Sequence, residues 1–301
     1  MGKGLVTGVL AAAVLGALAP GAAAARPEAP IDAASAKRCD PIAPGHCLFP
    51  WPNDHFTVRD RGTATGRRLN LDVRSMPANA AGTPMEPSDY NRADGFSPGQ
   101  PIITKIPGLD TPEAFRRTGA VPITDLARSF DRRQPVVLIN ARTGARQLIW
   151  SELDSNATSP ENTAFMIHPA KNLRVGERYI VALRRLRGDD GRRLRPSRAF
   201  RFYRDRVRTR TRVFERRRPH MERIFRSLRR AGIPRHDLYL AWDFTVASAD
   251  SLSGRLRAIR DDAFAQRGAR RLDDLRVQGS SPPFTVSAVT EFAGCGTDGC
   301  Q

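Results

Sequence analysis

The sequence predicts an α+β fold, mainly β, in which a strand-rich platform is followed by a helix-strand-helix-strand segment. Three observations predict it. Short extended runs recur between residues 68 and 203 at roughly 8–12-residue spacing with turn signals between them, the pattern of a β-sandwich. From Arg206 onward the apolar residues shift to a helical stripe among arginines. Residues 237–248 (Asp-Leu-Tyr-Leu-Ala-Trp-Asp-Phe-Thr-Val-Ala-Ser) then alternate with period two, the most apolar text after the N-terminal leader. This last run reads as a central strand, with Leu238, Leu240, Trp242 and Phe244 on one face and Tyr239, Asp243 and Thr245 on the other. Ser248 and Asp250 are the N-cap residues for a helix after it.

In chain order, residues 1–25 have the form of an export leader: Lys3, a short apolar run over 5–19, and an Ala-rich cleavage region ending at Ala25. They predict a secreted protein, cleaved after Ala25. Residues 26–38 read as an Ala/Pro-rich linker, 39–205 as a β-rich domain, and 206–301 as the helical segment packed on it. Prolines 41, 44, 50 and 52 keep the start of the β-rich part extended or turned. Strands are expected over 68–73, 102–106, 136–140, 147–150, 163–168, 178–183 and 199–203, with a loop at 91–98. A hairpin turn is expected at 140–146, where Gly144 supplies the positive φ. The stripe Val213/Phe214, Met221, Ile224/Phe225, Leu228 predicts a helix divided at Pro219 and ended by Gly232. Leu252, Leu256, Ile259 and Ala263 predict a second amphipathic helix, and 275–277 and 284–292 two final strands.

The net charge of +18 rests almost wholly on arginine, only four of the 49 basic residues being lysine. With abundant Ala, Gly and Pro this fits a GC-rich coding sequence; a surface for anionic lipid or cell-envelope polymer is the functional reading of the same charge. Four cysteines in an exported chain favour disulfides. They allow three pairings, of which the local pairs Cys39–Cys47 and Cys295–Cys300 are the simplest.

Several segments together resemble the N-terminal region of secreted bacterial lipase/esterase-like α/β-hydrolases. They are Cys39-Asp-Pro, Cys47-Leu-Phe-Pro-Trp-Pro-Asn-Asp, Asn91-Arg-Ala-Asp-Gly-Phe-Ser-Pro, Ile106-Pro-Gly-Leu-Asp, and 238–248 followed by Ile259-Arg-Asp-Asp-Ala-Phe. Residues 135–203, with His168-Pro-Ala-Lys-Asn-Leu and Gly188-Asp-Asp-Gly, are also similar to bacterial Ig-like modules. The resemblance implies a β-rich, non-catalytic platform for a carboxylic-ester hydrolase domain. A complete α/β-hydrolase domain is not expected within these residues, so the catalytic domain would be a C-terminal partner absent from this chain.

The chemistry readable from the residues agrees with that expectation. No G-x-S-x-G nucleophile elbow occurs, and Asp250-Ser-Leu-Ser-Gly254 lacks the leading glycine and reads as a helix cap. A Ser/His/Asp site assembled from distant residues stays open, because triads are defined by geometry. The five histidines show no i, i+4 pairing, and no cofactor or metal is expected. Nucleic acid is an unexpected partner for an exported chain. Three residues remain as candidate surface or interface positions. Asp54 and His55 form a polar tip beside the aromatics, more simply read as a turn. Asp243 lies within the apolar strand, read either as a structural ion pair with a nearby arginine or as a site residue facing a partner domain.

Overall fold

A computed structural model describes residues 34–43, 45–267 and 283–289. The leader, the strand expected at 275–277, and Cys295 and Cys300 lie outside the described residues. Among the described residues no helix is long and apolar enough to cross a membrane.

The architecture is α+β, with its strands in three antiparallel sheets. A hairpin of β1 (Thr57–Arg59) and β2 (Arg67–Leu69) forms the smallest. The second sheet has the order β3-β6-β5, from β3 (Ile102–Thr104), β5 (Ile149–Leu153) and β6 (Phe165–Pro169). The third has the order β4-β7-β8, from β4 (Val136–Asn140), β7 (Arg178–Arg184) and β8 (Leu238–Thr245). The strands of 135–203 therefore divide between two sheets, and β8 joins the later helical segment to the earlier strands.

β8 differs from the expected central strand in one respect. It pairs with β7 alone, which makes β7 the middle strand. Just beyond its end, Phe96 bridges Val246 in parallel. Both of its faces are nevertheless covered: every residue from Leu240 to Thr245 is buried. β4 is buried throughout, and Gly144 adopts φ +74° in the turn after it, as the sequence predicts.

Four α-helices complete the described fold: α1 (Pro112–Thr118), α2 (Arg198–Arg204), α3 (Arg212–Arg230) and α4 (Ala249–Arg267). α2 replaces the strand expected at 199–203. The Ser197 hydroxyl caps it by accepting from the Phe200 amide, and Ala199, Phe200 and Tyr203 bury one helical stripe. α1 carries signals of its own, a Thr111 cap, Pro112 in the first turn and Gly119 at φ +70° beyond its end.

α3 runs through Pro219 without dividing. The stripe Phe214, Met221, Ile224, Phe225, Leu228 is buried on both sides of the proline. Pro219 itself is exposed, on the side of the helix away from that stripe. Packing of one continuous apolar stripe outweighs the local cost of about 3 kcal/mol. The final strand expected at 284–292 is not formed over 283–289, which carries no regular structure and is exposed.

Candidate functional site

The site begins in the loop closed by the Cys39–Cys47 disulfide. Asp40, 1% exposed, is its hub. The carboxylate accepts from the Ile42 amide at 3.1 Å and from Asn53 Nδ2 at 2.7 Å. Arg217 of α3 grips both oxygens, Nη2 reaching Oδ2 at 2.7 Å and Nη1 reaching Oδ1. Burial works against this charge, but Arg217 wins and holds Asp40 well below the ordinary carboxylate range.

Asn53 then caps a single 3-10 turn, Asp54–Phe56, by accepting from the His55 amide at 2.9 Å. The turn brings Asp54 against β8. Its Oδ1 accepts from the Thr245 amide at 2.9 Å and its Oδ2 from the Thr245 hydroxyl at 2.8 Å, while Arg67 Nε stands 3.2 Å from Oδ2. Asp243 lies on the same strand face two residues earlier. It accepts from His220 Nε2 and Arg178 Nη1, both at 2.7 Å. The two carboxyls diverge. Burial, followed by the Asp243 charge, pushes Asp54 up to about 6. Burial opposes ionisation of Asp243 too, yet His220 and Arg178 hold it at about 2.

Two further segments singled out in the sequence, 47–54 and 91–98, also reach β8 or the residues just after it. The Trp242 indole donates to the Pro52 carbonyl at 2.8 Å. Asp94 accepts from the Ser248 amide at 2.9 Å and its own amide donates to Ser251 Oγ. Gly95 lies so close that a Cβ there would stand 2.6 Å from the Ala247 nitrogen and 2.7 Å from the Thr245 carbonyl oxygen. Ser248 caps α4 by accepting from the Ser251 amide.

A cleft of about 510 Å³ opens between the 36–41 segment, the 3-10 turn, β2 and α3. Asp54, His55, Arg67, Tyr203, Arg217 and His220 are among the residues that line it. Of the expected positions, Asp54 and His55 stand on its wall, and Asp243 sits behind it as the acceptor for His220. Burial lowers the His55 imidazole below its usual range and raises the Tyr203 phenol to about 12. Neither His55 Nε2 nor the Tyr203 hydroxyl has a hydrogen-bond partner among the described residues. A buried polar atom left so costs about 1–3 kcal/mol. A smaller hollow of about 250 Å³ lies beside Arg185, Arg193 and Asp237, where the carboxylate already takes up both arginines.

Chemically, the cleft is equipped to bind. His220 spends both ring nitrogens, Nε2 on Asp243 and Nδ1 as acceptor for Arg223 at 3.2 Å. No serine or cysteine lines the cleft beside it. Two carboxyls with separated pKa values are the pattern of an acid/base pair. Here each of the four oxygens already accepts a bond from Thr245, His220 or Arg178. Among the described residues no cluster of His, Cys, Asp and Glu is placed to hold a metal ion.

Sequence reasoning missed Asp40, Tyr203, Arg217 and His220. In a chain with this many arginines nothing local marks Arg217, and the partner that makes His220 notable is 23 positions away. No family model, curated protein or solved structure matches the chain.

Proposed function

We propose that this chain is the non-catalytic platform of a secreted lipase/esterase-like hydrolase and docks the hydrolase domain through α4. The observation that carries the reading is the unpartnered stripe on that helix. Leu252, Leu256 and Ile259 are 44%, 71% and 58% exposed, and every residue from 255 to 263 is exposed. Phe284, Val286 and Val289, later in the chain, are also exposed. An exposed apolar helix stripe of this kind marks an interaction surface, and a helix with little packed surface draws little stability from its own fold.

The segments that carry the resemblance support the platform role, because those at 47–54 and 91–98 hold β8 through Pro52, Asp54 and Phe96. Residues 135–203 feed two antiparallel sheets, which suits an Ig-like sandwich within the platform. Much of the arginine excess is engaged in the fold, as with Arg67, Arg178, Arg217, Arg218 and Arg235 on carboxylates. That favours the platform over a cationic module for anionic lipid or envelope polymer.

The test uses a cysteine at the centre of the stripe. In Leu256→Cys carrying a photo-cross-linker, exposure to secreted material of the native host should capture a polypeptide that reacts with a fluorophosphonate serine-hydrolase probe. Adducts that carry no such reactivity, or retention on anionic vesicles with no captured polypeptide, would overturn the reading.

A further inference from the structure

The cleft against Asp54 carries more positive charge than its own fold consumes. Lys37, Arg67, Arg216 and Arg217 line it, and Asp54 is the only carboxylate among the lining residues. Arg217 is committed to Asp40 and Arg67 to Asp54. Lys37 and Arg216 make no ion pair among the described residues, and both are exposed, which places them at the opening. Two free cations at the mouth of a cleft are a focus for an anion.

The interior asks for something different. Tyr203, wholly buried, is one of the residues lining the wall, and its hydroxyl has no hydrogen-bond partner among the described residues. Asp54 offers an acceptor: its Oδ1 has a second lone pair beyond the bond from the Thr245 amide, while Oδ2 is taken by the Thr245 hydroxyl and Arg67. Ala36, Pro41 and Val213 supply small aliphatic surface between these polar points. The volume of about 510 Å³ suits a small molecule. Carbon–hydrogen faces, hydroxyl-seeking groups and a cationic rim are complementary to a sugar that bears a negative charge.

We propose that this cleft binds an anionic sugar, a phosphorylated or carboxylated monosaccharide unit, with the charged group between Lys37 and Arg216 and its hydroxyls at Tyr203 and Asp54. The inference stands apart from the docking role of α4, which uses another surface. Phosphate and carboxylate share the required chemistry, and the unit is recognised either free or at the end of an anionic glycan.

Calorimetric titration of the whole chain with glucose 6-phosphate, glucuronate, inorganic phosphate and glucose separates the parts. One or both anionic sugars should bind, and glucose should not. Lys37→Ala combined with Arg216→Ala should weaken that binding at least tenfold while leaving the melting temperature unchanged, since neither side chain is buried or paired. Tyr203→Phe, which keeps the ring, should weaken anionic sugars severalfold and leave inorganic phosphate unaffected. Absence of binding by both anionic sugars would overturn the proposal, as would equal binding of glucose or an affinity unchanged in the double variant. Inorganic phosphate binding as tightly as glucose 6-phosphate, with no effect of Tyr203→Phe, would reduce the site to a simple anion hole and overturn the sugar assignment.

Discussion

Asp40 and Arg217, 177 positions apart in the chain, meet as a buried two-pronged ion pair that ties the disulfide loop to α3. Asp40 also holds Asn53, and Asn53 sets the turn that sends Asp54 to β8. One carboxylate thus couples three elements. Removing it leaves Arg217 buried without its counter-charge. Asp40→Ala is expected to cost about 3–5 kcal/mol in urea unfolding, the range for breaking one side of a buried pair. A loss below about 1 kcal/mol would mean that the pair is loose in solution.

Gly95 is required by closeness and not by an unusual φ. Its missing side chain lets the 91–98 loop lie on the end of β8, where the Phe96 amide donates to the Thr245 carbonyl and the Phe96 carbonyl accepts from the Ala247 amide, both at 2.9 Å. Gly95→Ala pushes a methyl into backbone that cannot swing aside. The expected loss is about 3 kcal/mol, at the upper end of overpacking costs. Gly66→Ala serves as a contrast: its φ is +73° but the space around it is open, so a smaller loss of about 1 kcal/mol is expected there.

Asp54, bonded to β8 from its 3-10 turn, and Asp243, on β8 itself, pull stability in opposite directions with pH. Asp54 has a folded pKa raised to about 6, above its unfolded value near 4. Its neutral form favours the fold, so its contribution is full below about pH 4 and is lost as pH rises through 6. Asp243 has a folded pKa lowered to about 2, so its contribution is present above about pH 4 and lost as pH falls toward 2. Melting temperatures of Asp54→Asn, measured against the unaltered chain, should therefore rise relative to it between pH 4 and 7. A difference that is constant across that window would contradict the raised pKa.

Asp243→Ala takes the acceptor from His220 and Arg178 at once. Both partners are partly exposed and regain water, which tempers the cost to about 3 kcal/mol. Thermal unfolding at pH 7 measures it. An unchanged melting temperature would return Asp243 to the role of a partner-facing site residue.

The sequence carried the strands whose pattern is set locally. β4 falls on 136–140 as its unbroken apolar run suggests, and β8 follows from its alternation. It misled where two local signals competed. At 199–203, Ala-Phe-Arg-Phe-Tyr reads equally as period two or as one helical turn, and the Ser197 cap decides for the helix. At Pro219 a strong local breaker lost to a stripe of buried side chains running past it. Asp54, His55 and Asp243 were legible as polar residues in apolar surroundings. Their convergence was not, because Thr245 lies 191 positions from Asp54, and Arg217 looks like every other arginine on α3. Electrostatic partners across such separations leave no periodic trace.

The proposed role for the residues around β8 is that of a platform for a separate hydrolase domain. Labelling the purified chain with a fluorophosphonate, followed by intact-mass measurement, tests this most directly. The account predicts the unmodified mass and no hydrolysis of short acyl esters above buffer. A single adduct on a serine, with ester turnover lost in proportion to labelling, would contradict it.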